Sequence, residues 1–489
     1  MIRKVVDRRG LCLAIVAFFS LLVHAKGLAA PLLDYHFHRQ VNTASIARRY
    51  WSEALPIHQP RVDWNGPSDR LAATELPVYM WLHGKLWPVA GLGEKWGRIL
   101  SAAASLLSAL LLFILFEKEF DREAALWGAS LFSILPVEVY FGRTVQPEAT
   151  ALLALIGSLW FWSRSLEPGR PWGAWAGAVF CAFIAVGLKL PYAHLLVPLA
   201  GLAWRRLGRR AFSDWRMYAA GLLSMGGVIA WYLHARRGVY VVPTHADEYT
   251  SLLDYSRLPY FIQFQVLSRF PELVMTYGGL VFFAVGARRI LWEKRDAFWL
   301  SWFFGVVLHL FAMAGYSHSH EYTALPLAPV AAGLIGVGVA RLRGKAAAAP
   351  PRRRALAFSG LALLVLAIPA HSALRISHWY RQGFEFVAGA GKAAAAVSAG
   401  DDPFLTNCQA SSVLLYYLNR RGWSGELDLL PAAAAHEYVD EHIGKGARFI
   451  ASEKRGLFAE PDGAMWKRFR AAGAPVWDDG KLVIFPLTR

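Results

Sequence analysis

Long apolar runs recur along most of this 489-residue sequence and restrict its fold more than any other feature. Each run is close to the roughly 20 residues that a bilayer-spanning helix needs. Hydrophobic residues make up 55% of the chain and charged residues 18%, which excludes one large soluble core. We therefore predict a polytopic α-helical membrane protein with about eleven transmembrane helices. The predicted spans are 11–30, 98–116, 122–142, 147–165, 172–188, 190–204, 216–235, 271–289, 298–315, 324–341 and 355–374.

The basic residues indicate how these helices are oriented. Arg and Lys collect in the short loops on one side of the predicted helices, and the opposite loops carry few of them near helix ends. The positive-inside rule makes the basic side cytoplasmic, so the N-terminus is predicted in the cytoplasm and the C-terminus in the periplasm of a bacterial inner membrane. Topology and lipid headgroups thus account for the net charge of +17, and nucleic acid is not a predicted partner.

The first apolar run has two interpretations. It follows several basic residues, and Gly27-Leu28-Ala29-Ala30 near its end resembles a signal-peptide cleavage site. The alternative is a retained first helix. We favour the retained helix because the polar stretch that follows makes chemical sense when it is anchored to the membrane.

The sequence divides into two predicted domains. Residues 1–374 form a transmembrane module, and residues 375–489 form a periplasmic α/β domain. Within the module, residues 31–97 make a long periplasmic loop, in which 43–54 and 75–88 are predicted as amphipathic helices on the membrane surface. The segments predicted for the α/β domain are strands at 403–408, 425–431, 447–453 and 482–487 and helices at 409–421, 432–444 and 461–473.

Ionisable residues gather on the predicted periplasmic side, and the membrane interior is predicted to be nearly free of charge, with His309 as the main exception. The stretch Leu33–Gln40 is the richest in such residues. Asp34 shares one side with His36 and His38 if this stretch is extended, and a face with His38 if it is helical. Transporters usually keep polar groups at the bilayer midplane. A one-sided rim of acids and bases instead indicates an enzyme that acts on a lipid-linked substrate.

Short motifs on this side occur in a characteristic order. They are Asp34, His38-Arg39-Gln40, Arg61-Val62-Asp63-Trp64, Glu75-Leu76-Pro77, Gly142-Arg143, Pro147-Glu148, Lys189-Leu190-Pro191 and His320-Glu321-Tyr322. With this order and topology, the sequence resembles bacterial glycosyltransferase family 39. Those enzymes have the C-type glycosyltransferase fold and are similar to protein O-mannosyltransferases and the lipid A aminoarabinose transferase. The resemblance covers about residues 10–345 and implies no function for the C-terminal domain.

The resemblance implies transfer of a sugar from a polyprenyl-phosphate carrier to an acceptor outside the cytoplasmic membrane. Such a reaction needs one carboxylate as general base for the acceptor hydroxyl and cations beside the departing phosphate. Asp34 is the predicted base, and Glu148 and Glu75 are predicted to orient the acceptor or to act with Asp34. Direct displacement would invert the anomeric centre. The predicted substrate-binding residues are His38, Arg39, Asp63, Glu75, Arg143, Lys189, His320 and Tyr322.

The sequence departs from the family pattern at two positions. Glu148 stands where family members often have Asp, which is a conservative change. Leu76 stands where the aminoarabinose transferase pattern has Lys, so one phosphate-binding candidate is missing and a lipid A acceptor is not implied. The acceptor is left open among lipopolysaccharide, another surface polysaccharide, a lipid and a protein.

No cofactor is required by the sequence, although a divalent metal is one interpretation of His318, His320 and Glu321. Hydrogen bonding of these residues to phosphate or sugar is the favoured alternative. Two other classes of protein also stay open. A transporter or flippase for a lipid-linked glycan would need a continuous polar path through the membrane. A binding or scaffolding subunit would use its helices only as an anchor.

Overall fold

The computed structural model describes residue 4 and residues 7–64, 66–67, 71–240, 255–315, 319–409 and 411–487. The chain packs as two compact units. The first comprises Met1–Leu28, Gly97–His234 and Pro243–Trp379, and the second comprises Ala29–Trp96, Ala235–Val242 and Tyr380–Arg489. The long first loop therefore belongs to the same unit as the C-terminal residues. The predicted domain boundaries stay predictions.

The first unit is helical. Its helices are Arg9–His24, Lys95–Glu119, Arg122–Phe132, Pro136–Phe141, Glu148–Ser165, Trp172–Leu188, Leu196–Leu207, Trp215–Ala235, Leu258–Val274, Tyr277–Glu293, Ala297–Ala312, Leu327–Ala348 and Pro351–Arg375. Most lie within a few residues of the predicted spans. Buried small residues let neighbouring helices approach closely: a Cβ on Gly286 would lie 1.9 Å from the carbonyl oxygen of Leu334.

Few of these helices are long enough to span a membrane alone. Among the residues that the structure describes, Lys95–Glu119, Leu327–Ala348 and Pro351–Arg375 meet that test by length and composition. A fourth span results if Leu258–Val274 and Tyr277–Glu293, which are bent by 103°, are counted as one. The predicted number of about eleven is therefore not confirmed.

The predicted span 122–142 is broken. The sequence predicts a single helix over 122–142, but the structure has Arg122–Phe132 and Pro136–Phe141 as separate helices. Leu135 between them is extended, with φ −62° and ψ 136°. Pro136 causes the break, since its ring clashes with the preceding turn and it has no N–H to donate. The second, short helix leads into the turn that carries Arg143.

The second unit contains five strands that form one sheet: β3 (Phe404–Asn407), β4 (Gly422–Gly425), β5 (Phe449–Glu453), β6 (Trp477–Asp478) and β7 (Leu482–Pro486). Their order in the sheet is β4-β3-β5-β7-β6. Strands β3, β4 and β5 are parallel, and β7 and β6 continue the sheet in antiparallel pairing. The predicted α/β architecture is thus present. The helices beside this sheet in the sequence are Ala390–Val397, Ser411–Leu418, Ala432–Gly444 and Ala464–Ala472.

Two details of this sheet differ from the sequence prediction. The strand predicted at 425–431 is wrong, because the segment that pairs with β3 is Gly422–Gly425. A Cβ on Gly422 would lie 1.7 Å from the carbonyl oxygen of Phe404, so only glycine fits beside β3 at this point. The prediction also omitted β6 and the helix Ala390–Val397.

The first loop of the second unit contains two helices, Phe37–Ser52 and Val78–Leu86, close to the two amphipathic helices predicted there. A short parallel pair joins β1 (Ala72–Ala73) to β2 (Val239–Tyr240). The predicted alternatives for Leu33–Gln40, fully extended or fully helical, are both wrong. Residues 31–36 form turns and the helix begins only at Phe37, because His36 adopts the left-handed conformation with φ 59°.

Candidate functional site

Asp34 is a buried carboxylate with 1% of its surface exposed. Its Oδ1 accepts a hydrogen bond from Nε2 of Gln40 at 2.7 Å. The same amide nitrogen donates to the carbonyl oxygen of Tyr35 at 3.0 Å. The turn at His36 brings Gln40 back towards Asp34 across six positions of the chain. A neutral amide therefore orients this carboxylate.

Asp63 lies in a different environment in the same unit. It is fully buried, and its carboxylate pairs with Arg48 and Arg49, each at 2.5 Å. Burial alone would lower the pKa of Arg48, but the charge and hydrogen bond of Asp63 outweigh it and raise that pKa. The backbone N–H of Asp63 also donates to Ser45 Oγ at 3.1 Å. Asp63 thus connects the first helix of the loop with the segment that follows it.

Arg39 and Glu75, both predicted to bind substrate, form an ion pair with each other. Glu75 also accepts a hydrogen bond from Thr74 Oγ1 at 2.9 Å. His38 is exposed on the neighbouring helix turn. Arg39 therefore has a carboxylate partner in this structure, and a phosphate would compete with Glu75 for its guanidinium.

In the first unit, the partly exposed Lys189 forms an ion pair with the buried carboxylate of Glu148. Lys189 Nζ lies 2.5 Å from Glu148 Oε1, and Glu148 is 1% exposed. The ammonium group also lies over the ring of Tyr322, 5.3 Å from its centroid. Tyr322 packs edge-on against Phe141 with centroids 5.7 Å apart. These contacts form one cluster of Glu148, Lys189, Tyr322 and Phe141. The first three were predicted from the sequence as site residues.

Arg143 lies in the turn between Pro136–Phe141 and Glu148–Ser165. It is fully buried, and its guanidinium stacks 4.9 Å from the ring centroid of Tyr140. Gly27 approaches it closely: a Cβ there would lie 3.1 Å from Arg143 Nη1, and its φ of +76° also favours glycine. A buried guanidinium of this kind is suited to grip a phosphate bidentately.

The structure adds a buried acid that the sequence analysis missed. Glu138 has no exposed surface, and its carbonyl oxygen is 3.2 Å from Nε2 of His24. Tyr192, also buried, interacts electrostatically with both Glu138 and Glu148. Glu138 lies within the predicted span 122–142 and was not among the predicted site residues. Pro136, two residues before Glu138, was the sequence signal, because a broken helix leaves room for polar groups.

The sequence predicted His318, His320 and Glu321 as possible ligands of one metal ion, and the structure describes two of these residues. His318 lies outside the described residues. His320 Nδ1 is 2.9 Å from Ser319 Oγ, and Glu321 pairs with Arg269 at 3.5 Å. Within the part of the chain that the structure describes, no group of three or more His, Cys, Asp or Glu residues could hold a metal ion.

His309, the predicted exception in the interior, contacts backbone oxygens. Its Nε2 lies 3.1 Å from the carbonyl oxygen of Thr323, and its Nδ1 lies 3.3 Å from that of Pro191. Its ring also packs 4.8 Å from that of His194. These contacts are those of a histidine that joins packed helices.

The chain is similar in sequence to one protein family. Residues 74–234 match the family model described as dolichyl-phosphate-mannose-protein mannosyltransferase. This region includes Glu75, Arg143, Glu148 and Lys189. No curated protein sequence matches the chain significantly.

Solved structures of three membrane proteins share the fold. ArnT from Cupriavidus metallidurans, bound to undecaprenyl phosphate, is 15% identical with a TM-score of 0.64, and 97% of each chain is covered. The Archaeoglobus fulgidus oligosaccharyltransferase in complex with zinc and sulfate is 12% identical with a TM-score of 0.60, over 94% of this chain and 71% of that one. The arabinofuranosyltransferase AftD from Mycobacteria is 12% identical with a TM-score of 0.56, over 98% of this chain and 40% of that one.

The fold and the family domain define the class of protein as a membrane glycosyltransferase. The resemblance predicted from the motifs is confirmed: the chain has the C-type glycosyltransferase fold along nearly its whole length. Over residues 74–234 it carries the mannosyltransferase-family domain.

Proposed function

We propose that this protein is an inverting glycosyltransferase that moves a sugar from a polyprenyl-phosphate carrier to an acceptor at the outer face of a bacterial inner membrane. The family domain and the likeness to a structure that holds undecaprenyl phosphate support this donor class. The acceptor is lipopolysaccharide, another surface polysaccharide, a lipid or a protein. The N-terminus is cytoplasmic in this proposal, and the C-terminal α/β part is periplasmic.

The observation that carries the proposal is that Asp34 is buried and held in a fixed orientation. General base catalysis needs a carboxylate that is held in a fixed orientation beside the acceptor hydroxyl. Asp34 is buried, and the hydrogen bond from Gln40 Nε2 orients it. Asp63, by contrast, is held by two arginines. We therefore assign the base to Asp34 and a bridging role within the loop to Asp63.

The first unit supplies cations for the departing phosphate. Lys189 and Arg143 are buried or nearly so, which strengthens their interaction with an anion. Glu148 holds Lys189 in place, and entry of the phosphate would weaken that ion pair. A stable polyprenyl-phosphate anion needs such neighbours rather than a proton donor.

The reaction balances without a cofactor. The acceptor oxygen forms a bond to the anomeric carbon while the bond from that carbon to the phosphate oxygen breaks. The phosphate keeps the electron pair and leaves as polyprenyl phosphate, and the hydroxyl proton passes to Asp34. A single displacement inverts the anomeric centre.

The test uses Asp34→Asn, which keeps the shape of the side chain and removes its basicity. Purified full-length protein in lipid nanodiscs should lose about 10²- to 10⁴-fold in kcat, the usual contribution of general base catalysis. The matched control is Asp401→Asn at an exposed acid of the same unit, which should keep wild-type kcat. Mass spectrometry of surface glycans from a deletion strain, complemented with each variant, would identify the sugar and the acceptor class.

Two outcomes would contradict the proposal. Full transfer by Asp34→Asn would remove Asp34 as the base. Net movement of lipid-linked glycan across a vesicle membrane, with no new glycosidic bond, would favour the alternative of a flippase. No observation on the described residues favours that alternative.

A further inference from the structure

The segment that carries Asp34 has little secondary structure of its own. Residues 31–36 form turns, and the left-handed His36 separates them from the helix that begins at Phe37. Neither a helix nor a sheet ladder holds the backbone at Asp34. Its conformation must therefore depend on hydrogen bonds to other parts of the unit.

Tyr417 and Gly383, in the C-terminal part of the chain, form such bonds with the two residues that precede Asp34. The N–H of Leu32 donates to the hydroxyl oxygen of Tyr417 at 2.9 Å. The N–H of Gly383 donates to the carbonyl oxygen of Leu33 at 2.8 Å. Leu32 and Leu33 are 1% and 2% exposed, so water would not readily replace either partner.

The helix that follows Asp34 is held by the same part of the chain. Phe37 at its first turn packs against Phe384, with ring centroids 5.3 Å apart. Arg48, three turns further on, donates to the carbonyl oxygen of Tyr416 at 2.9 Å and stacks 4.2 Å over its ring centroid. C-terminal residues therefore contact the chain on both sides of Asp34.

A third set of bonds ties the rest of the loop to the sheet. The N–H of Gly422, in edge strand β4, donates to the carbonyl oxygen of Asp63 at 3.0 Å. The N–H of Gly66 donates in turn to the carbonyl oxygen of Gly422 at 2.6 Å. Glu53 forms an ion pair with Arg421 just before the same strand. The loop thus packs on the C-terminal sheet as part of one body.

We propose that the C-terminal α/β part positions the catalytic Asp34, and that Tyr417 is the positioning residue that links the two. This inference rests on the proposed role of Asp34 as the base. Gln40 orients the carboxylate, while Tyr417 and Gly383 fix the backbone that carries it. The C-terminal part would then be required for catalysis without touching substrate.

The test is Tyr417→Phe in the full-length protein, which removes only the hydroxyl that accepts from Leu32. A misplacement of about 1 Å in a catalytic group can cost about 10² in rate. We expect kcat to fall between about tenfold and a hundredfold, with KM for the polyprenyl-phosphate donor unchanged. The matched control is Tyr438→Phe, whose hydroxyl donates to the backbone oxygen of Ser424 at 3.2 Å in the same unit. This control should keep wild-type kcat.

Hydrogen exchange separates positioning from a loss of folding. In Tyr417→Phe the Leu32 amide should exchange faster, while the amides of β3 and β5 keep their protection. Loss of protection throughout the sheet, an unchanged kcat, or an equal fall in kcat in both tyrosine variants would overturn the inference. Asp34→Asn is measured alongside: if it stays active, the proposed base fails, and if only Tyr417→Phe stays active, the positioning role alone fails.

Discussion

Two buried aspartates in the second unit, Asp34 and Asp63, differ in what holds them. Asp34 accepts a hydrogen bond from the neutral amide of Gln40, whereas Asp63 pairs with Arg48 and Arg49. Both carboxylates are almost wholly shielded from water, with 1% and 0% of their surfaces exposed. Burial alone therefore does not distinguish a catalytic acid from a structural one.

The partners make the difference. Two arginines pair with Asp63 and tie it to the helix Phe37–Ser52, so loss of these ion pairs would disrupt the packing. The amide of Gln40 orients the carboxylate of Asp34 and supplies no positive charge. From this contrast we propose a structural role for Asp63, while its substrate-binding role stays a prediction, and the following experiments separate the two.

The largest expected effect on stability is that of Asp63→Asn. Removing one partner of a buried ion pair typically costs about 3–5 kcal/mol, because the remaining charges are left without compensation. We expect the free energy of unfolding of the second unit to fall by about that much. Hydrogen exchange at the amides of Phe37–Ser52 and β4 would measure it, with Asp401→Asn as the exposed control. Unchanged protection, with transfer reduced as strongly as in Asp34→Asn, would instead make Asp63 a catalytic group.

The sequence predicted the fold best where local signals decide the structure. The helix predicted at 172–188 is observed as Trp172–Leu188, and that at 432–444 as Ala432–Gly444. A preceding proline marks the start of each. Strand β4 was misplaced because Gly422 favours a turn by itself, and its close approach to Phe404 is a tertiary requirement. The break at Pro136 was masked by the apolar residues around it.

The site was predictable only as a set of residue types. Asp34, Glu148 and Lys189 were found because acids and bases are rare beside apolar runs. Their partners depend on tertiary contacts: Lys189 and Glu148 are 41 positions apart, and Leu32 and Tyr417 are 385 positions apart. No local pattern indicates such pairs. Gln40 was quoted as part of a motif, but its hydrogen bond to Asp34 required the turn at His36.

A smaller effect is expected from Gln40→Leu, which removes the amide and keeps a buried side chain of similar length. Gln40 is fully buried, so Asp34 would lose its oriented hydrogen bond and would not gain water in exchange. We expect kcat to fall about tenfold, the equivalent of roughly 1.4 kcal/mol, with KM for the donor unchanged. Gln40→Glu brings a second carboxylate to Asp34 and should reduce kcat further. Wild-type kcat in both variants would mean that Asp34 is oriented by other contacts.

The smallest effect concerns His83, another buried ionisable group of this unit. Burial lowers the pKa of His83 to about 4, although a contact of Nε2 with the carbonyl oxygen of Gly93 partly opposes this. The folded state therefore favours the neutral ring, and the unfolded chain binds the proton first as pH falls. The contribution of neutral His83 to stability is fully present above the unfolded pKa of about 6.5. Between about pH 6.5 and pH 4, the free energy of unfolding should fall by at most about 1.4 kcal/mol per pH unit. Hydrogen exchange along Val78–Leu86 across this range would measure the slope, and His83→Gln should flatten it. An equal slope in the variant would assign the pH dependence to other groups, and kcat at neutral pH should be the same in both proteins.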